Sequence, residues 1–260
     1  MTFPSVFVSH GAPSLLLEPE QPAHQFLRAF GAELGRPAAI LVVSAHWETA
    51  APTLTTAPRL ETIHDFGGFD PALYAMRYTP PGAREVGVRA KELLASAGFD
   101  PRLDPQRGID HGGWVPLALM YPEAEVPVAQ LSVQSRLGAA HHRRLGQALR
   151  PLREEGVLIV ASGSLTHNLR AAFHWVPGTP TPEPVTAFSA WVADTLTGPH
   201  PEALLEYERQ APEARWNHPT PEHFLPLLVA WGAGTPGATP RRVHASVTLG
   251  VLAMDAYAFA

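Results

Sequence analysis

The chain has 260 residues, 45% of them hydrophobic and 17% charged, with a formal net charge of −5. That length buries a substantial single core, and mild acidity without Lys/Arg clusters excludes a partner held through a nucleic-acid backbone. There is no cysteine, so disulfides, thiolate metal sites and cysteine nucleophiles are excluded, and any metal must be held by His, Asp or Glu.

Pro4–Val8 is a short apolar run ending in Ser9-His10-Gly11. It predicts a strand followed by a turn, since Gly11 accepts a positive φ and Pro13 fixes a nearby dihedral. Phe26, Leu27 and Phe30 stand at helical spacing and predict an amphipathic helix over Pro22–Leu34. Ile40–Ser44 opens the stretch ILVVSAHW, continuously apolar and β-branched, as a strand buried on both faces must be. His46 lies at its carboxyl end, where open α/β sheets collect their ligand-binding groups. A βαβ unit therefore presents two histidines at equivalent strand ends.

Thr62–Phe69, rich in glycine and aromatics without a period, reads as a long loop, and Ala83–Ala97 as a helix carrying Val86, Val88, Leu93 and Leu94. A second loop is expected over Asp104–Trp114, followed by a short helix over Val115–Tyr121 with Pro116 in its first turn. Pro127–Ser132 predicts a strand and Ala139–Leu152 a helix. Val157–Ala161 is a third fully apolar strand, and it leads through Ser162-Gly163-Ser164-Leu165-Thr166 to His167. Thr186–Thr197 and Pro201–Arg209 read as helical. Thr220 is placed to cap a helix with Pro221 in its first turn and Phe224, Leu227, Leu228 and Trp231 on its apolar face. Val243–Val251 reads as a closing strand. With no Gly/Ser linker, low-complexity tract or internal repeat, residues 1–260 are expected to form one α/β domain. Its central, mostly parallel sheet is flanked by helices, with a metal site at the strand C-terminal ends. No run has the length of a membrane span, and the N-terminus lacks a basic-then-apolar leader pattern, so a cytoplasmic protein without membrane partners is expected. Monomer and homodimer both remain open.

The chain has no P-loop, no G-x-G-x-x-G after a strand and no H-E-x-x-H, and Gly163-Ser164 lacks G-x-S-x-G spacing, so Ser-His-Asp hydrolysis is unsupported. What stands out is thirteen histidines. A lone loop histidine is more often structural than a ligand, and His24, His141, His142, His174, His200 and His244 are set aside on that ground. His10, His46 and His167 differ because all three follow buried strands, which brings them to one rim of one sheet. His223 follows a proline-stiffened turn, and His218 could point to the same place. Three or four converging imidazoles suit Zn(II), Fe(II) or a similar ion, the alternative being a hydrogen-bonded polar cluster without metal.

Five segments then form a pattern: Ser9-His10-Gly11, Ser44-Ala45-His46-Trp47, His111-Gly112-Gly113-Trp114-Val115-Pro116-Leu117, Gly163-Ser164-Leu165-Thr166-His167-Asn168 and His218-Pro219-Thr220-Pro221-Glu222-His223-Phe224. With Asp65-Phe66 and Leu131-Ser132-Val133-Gln134, they resemble the class III extradiol ring-cleaving dioxygenases, most of all the 4,5-DOPA extradiol branch, in order along nearly the whole chain. The resemblance implies a non-haem iron enzyme that uses O₂ to open a catechol ring beside its hydroxyls, giving a muconic semialdehyde. It implies His10 and His46 as metal ligands, with His223 in the place of the class's glutamate. His167 resembles the acid/base histidine and His111 a hydrogen-bonding residue on the substrate side. His218 either supports the ligands or is an alternative ligand. The all-histidine set departs from two-His-one-carboxylate ligation and would also hold Zn(II). An amino-acid catechol such as DOPA needs partners for its carboxylate and amine, and Asp65, Arg77 or Arg170 could supply them. Two other readings compete: a zinc-dependent hydrolase-type enzyme, and a non-catalytic metal-binding scaffold. A scaffold has no need of an acid/base histidine beside Gly163-Ser164, so His167 favours catalysis.

Overall fold

In the computed structural model, which describes residues 2–260, the three uninterrupted apolar runs lie side by side. A strand with no polar face has nothing to offer water, so its stable place is the middle of a sheet covered on both sides. The strands in chain order are β1 (Ser5–Ser9), β2 (Ala39–Glu48), β3 (Thr53–Thr55), β4 (Arg102–Asp104), β5 (Val128–Val133), β6 (Val157–Gly163), β7 (Arg241–His244), β8 (Val247–Thr248), β9 (Leu252–Ala253) and β10 (Ala256–Phe259). Eight of them form one sheet in the order β4-β3-β5-β2-β6-β1-β10-β7. Its centre, β5-β2-β6-β1, is parallel, and β10 and β7 close one side antiparallel. This is the single α/β domain with a mostly parallel sheet that the sequence predicts. β8 and β9 pair with each other outside it.

Helices cover the sheet. Pro22–Leu34 forms with the predicted bounds, burying Leu27 and Phe30, and Gly31 allows its backbone to meet that of Met120. The predicted helix over Ala139–Leu152 is interrupted near Arg150, since Pro151 has no N–H to continue it; the segments are Gly138–Leu149 and Pro151–Glu154.

Three expectations need correction. The helix expected at Val115 begins at His111, because the Asp110 carboxylate caps it by accepting from the Gly113 N–H at 3.3 Å. Pro116 therefore sits inside the helix and leaves the Gly112 carbonyl without its usual i+4 donor. Thr220 caps nothing: the last helix spans Leu225–Ala233 with Pro226 in its first turn, and the Thr220 hydroxyl donates to Glu222 at 2.9 Å. The turn over Pro221–Leu225 does not run on into this helix, because Pro226 has no N–H for the Glu222 carbonyl. The closing strand is Ala256–Phe259, antiparallel to β1, in place of Val243–Val251. That earlier stretch is broken at Leu249 and Gly250, whose φ values of 49° and 59° turn the chain.

Candidate metal centre

β1, β2 and β6 end at one rim, and each end is built to expose an imidazole. His10 follows β1, its N–H donating to the Gly163 carbonyl at 3.0 Å. His46 occupies a gap in β2: pairing with β6 stops at Ser44, and pairing with β5 breaks after Val43 and resumes at Glu48. His223 arrives from 60 residues beyond Gly163, in the turn before the last helix. It approaches so closely that a Cβ on Gly163 would lie 2.1 Å from the His223 carbonyl oxygen.

The three rings converge through the same nitrogen. His46 Nε2 lies 3.1 Å from His10 Nε2 and 3.2 Å from His223 Nε2. Each Nδ1 faces an oxygen on the outer side. Ser162 Oγ donates its proton to the Gly112 carbonyl left free by Pro116, so toward His10 Nδ1, at 3.0 Å, it can only accept. His223 Nδ1 donates to Glu222 Oε1 at 3.0 Å, and His46 Nδ1 faces Asp65 Oδ2 at 3.8 Å. With the protons on Nδ1, three Nε2 lone pairs point at one another. That arrangement is repulsive by itself and suited to a cation that accepts all three. His10, His46 and His223 are accordingly a group whose donor atoms could hold a metal ion.

The other predicted residues surround this trio. His167 lies flat against His223, ring centroids 3.4 Å apart and planes 11° from parallel. His111 packs 3.8 Å from the His46 ring, with its Nδ1 donating to Asp65 Oδ1 at 2.9 Å. His218 does not join them. Its Nε2 donates to the Leu165 carbonyl at 2.8 Å among Phe188, Tyr207 and Phe224. Arg77 is exposed and donates to the carbonyls of Tyr74 and Met76 in its own loop. Arg170 is exposed on the short helix Leu169–Phe173 that follows His167. Sequence reasoning assigned no role to Ser162, just before one histidine motif, to Glu222, inside another, or to the buried Asp110. It also missed the aromatic wall of Phe66, Tyr74 and Trp114 next to His111.

Burial is the leading cause that keeps these imidazoles neutral, which is the form that binds metal. It pushes His10 and His223 well below the ordinary histidine value, His46 down to about 3 and His167 down to about 4, with Glu222 opposing the last. His218 and the structural His142 are likewise pushed down to about 4. His142 is fixed neutral, donating to the Gly138 carbonyl and accepting from the Gln134 N–H. An unfolded histidine takes up its proton near pH 6.5, whereas these folded ones resist until near pH 4. Between those values the unfolded state binds more protons, so folding stability falls as pH falls. Metal-free protein should therefore lose stability steeply from pH 6.5 toward 4, by roughly 3 kcal/mol for His142 alone. Urea midpoints across that window check this, and a flat profile would contradict it.

An α/β sheet with inward-turned imidazoles at its parallel strand ends defines a metal-competent α/β enzyme scaffold. Comparison with known proteins narrows this. The family model described as "Catalytic LigB subunit of aromatic ring-opening dioxygenase" matches residues 4–253. "4,5-DOPA dioxygenase extradiol" of Beta vulgaris is 43% identical, over 97% of this chain and 95% of that protein. The protein of the same name in Escherichia coli K12 is 42% identical, over 88% and 84%. The crystal structure of an uncharacterized protein from Escherichia coli K12 superposes with a TM-score of 0.82 at 35% identity, covering 99% of this chain and all of that one. The chain belongs to the LigB family of aromatic ring-opening dioxygenases. The enzyme class expected from its motifs, extradiol ring-cleaving dioxygenase, stands. Among the described residues no helix is long and apolar enough to cross a membrane.

Proposed function

We propose that this enzyme uses O₂ to open a catechol bearing a DOPA-like side chain to a muconic semialdehyde. One divalent metal ion would be held by His10, His46 and His223. The observation that carries the reading is the set of three Nε2 atoms turned inward at 3.1 and 3.2 Å, in a chain 43% and 42% identical to two proteins named 4,5-DOPA dioxygenase extradiol. Fe(II) bound there supplies the redox partner that lets O₂ react with an aromatic ring, and a Lewis acid that eases loss of the second phenolic proton.

The chain's own residues do the rest. His167, neutral at pH 7, takes the catechol proton on its ring nitrogen and later returns one as general acid. Its stacking on His223 sets where that nitrogen stands, and the nearby Glu222 carboxylate compensates the charge His167 gains. His111 meets the substrate's oxygens, while the half-buried Phe66 ring beside it, backed by the buried Trp114, offers apolar surface for the ring. Arg170, on the helix after His167, is the group for a substrate carboxylate; Arg77, held by its own loop, is the weaker choice. His218, tied to Leu165, supports the turn that carries His223 and is not a ligand. The setting is cytoplasmic.

An all-imidazole set also suits Zn(II), which favours one second reading, a zinc-dependent hydrolase-type enzyme on the same scaffold. The test loads apo-protein anaerobically with Fe(II) and follows oxygen uptake and yellow semialdehyde formation with L-DOPA and simple catechols. Uptake with a catechol is the expected result. No uptake with any catechol, at one metal per chain, transfers the conclusion to the zinc reading.

A further inference from the structure

Asp65 sits in the loop between β3 and the short helix Pro71–Ala75, and both of its carboxylate oxygens face protein nitrogens. Oδ1 accepts from the His111 backbone N–H and from His111 Nδ1, each at 2.9 Å. Oδ2 faces His46 Nδ1 at 3.8 Å. The carboxylate thus lies against the first N–H of the helix that opens at His111, where a negative charge is favoured. It also spans two imidazoles whose centroids are 3.8 Å apart. Oδ1 is committed to His111 by two hydrogen bonds, whereas Oδ2, too far from His46 Nδ1 for a hydrogen bond, acts on that ring through its charge. The carboxylate thereby biases which nitrogen of each ring keeps its proton.

Resting on the metal-centre reading above, we propose that Asp65 is a positioning residue that holds His46 and His111 as Nδ1–H tautomers, turning both Nε2 lone pairs into the site. For His46 this presents the nitrogen that faces His10 and His223. For His111 it sets the polarity of its contact with substrate: the neutral ring accepts a hydrogen bond from a catechol hydroxyl and does not donate one.

The test compares wild type, Asp65→Asn and Asp65→Ala. Asn keeps the volume and an oxygen for His111 but can turn a donor toward His46 Nδ1; Ala removes both contacts. Zn(II) affinity is measured by competition with a chelating dye. The tautomers are read from imidazole ¹⁵N shifts of the zinc-loaded protein, and steady-state kinetics use L-DOPA and an amine-free catechol. Zn(II) affinity is expected to fall about 10- to 100-fold in both variants. The His111 ¹⁵N pattern should lose its Nδ1–H form in Asp65→Ala, and kcat should fall alike for both catechols. Unchanged affinity and tautomers, with only KM for L-DOPA raised, would make Asp65 a substrate-ammonium contact and overturn the proposal. A wild-type chain that takes up no Zn(II) or Fe(II) overturns this role together with the reading beneath it. Wild-type uptake with unaltered variants overturns the role of Asp65 alone.

Discussion

Replacing His167 by alanine is expected to cut turnover roughly 10²–10⁴-fold while the metal content stays at one ion per chain, the range that loss of a positioned acid/base group produces. The separation follows from the geometry. The His167 ring is stacked on His223 at 3.4 Å and is not one of the three rings whose Nε2 atoms converge, those of His10, His46 and His223. Each of those three keeps its own outer partner, Ser162, Asp65 or Glu222, when His167 is removed. His46→Ala is the matched control and should lose the metal itself. Metal analysis beside single-turnover oxygen uptake reads both quantities. A His167→Ala enzyme with near wild-type kcat would remove the acid/base role, and a fully metallated His46→Ala protein would remove the ligand assignment.

Asp110→Ala should destabilise the fold by about 3–5 kcal/mol, the scale for deleting one partner of a buried charged pair. Asp110 is completely buried. Its carboxylate accepts from Ser44 Oγ at 2.5 Å, from Arg107 at 3.1 Å and from the Gln130 side-chain amide, and it caps the helix that carries His111. Removing it leaves a half-buried guanidinium and a buried amide without their acceptor, and takes a cap worth about 1 kcal/mol. The site suffers as well, because Ser44 stands two residues before His46, and Gly112, in the first turn of that helix, packs against Ser44 Oγ and the His46 ring. Asp110→Asn keeps the cap and should lose less. Denaturant midpoints with wild-type slopes measure the loss, and a change below about 1 kcal/mol would show that the network is not a structural hub.

Features that depend on local pattern are legible in the residues alone. Continuous apolar runs in β1, β2 and β6 have one stable destination, the middle of a parallel sheet, so the fold class, the helix over Pro22–Leu34 and the shared rim of His10, His46 and His167 could all be read from it. The histidine motifs likewise pointed to the family before any coordinate was known. Local pattern does not distinguish the surroundings of His223 from those of His218; the fold does. They flank the same proline-rich turn, but the His223 ring reaches His46 and the His218 ring is drawn to the Leu165 carbonyl, held by backbone 53 residues away. The outer partners belong to the same category. Pro116 frees a carbonyl that orients Ser162, which in turn fixes His10 across 152 residues of chain. The closing strand also escaped the pattern, since a left-handed turn at Leu249-Gly250 moved it to Ala256–Phe259. Periodicity records which face of an element is buried. It carries no record of which distant donor meets which acceptor there, and that pairing sets the proton on each imidazole.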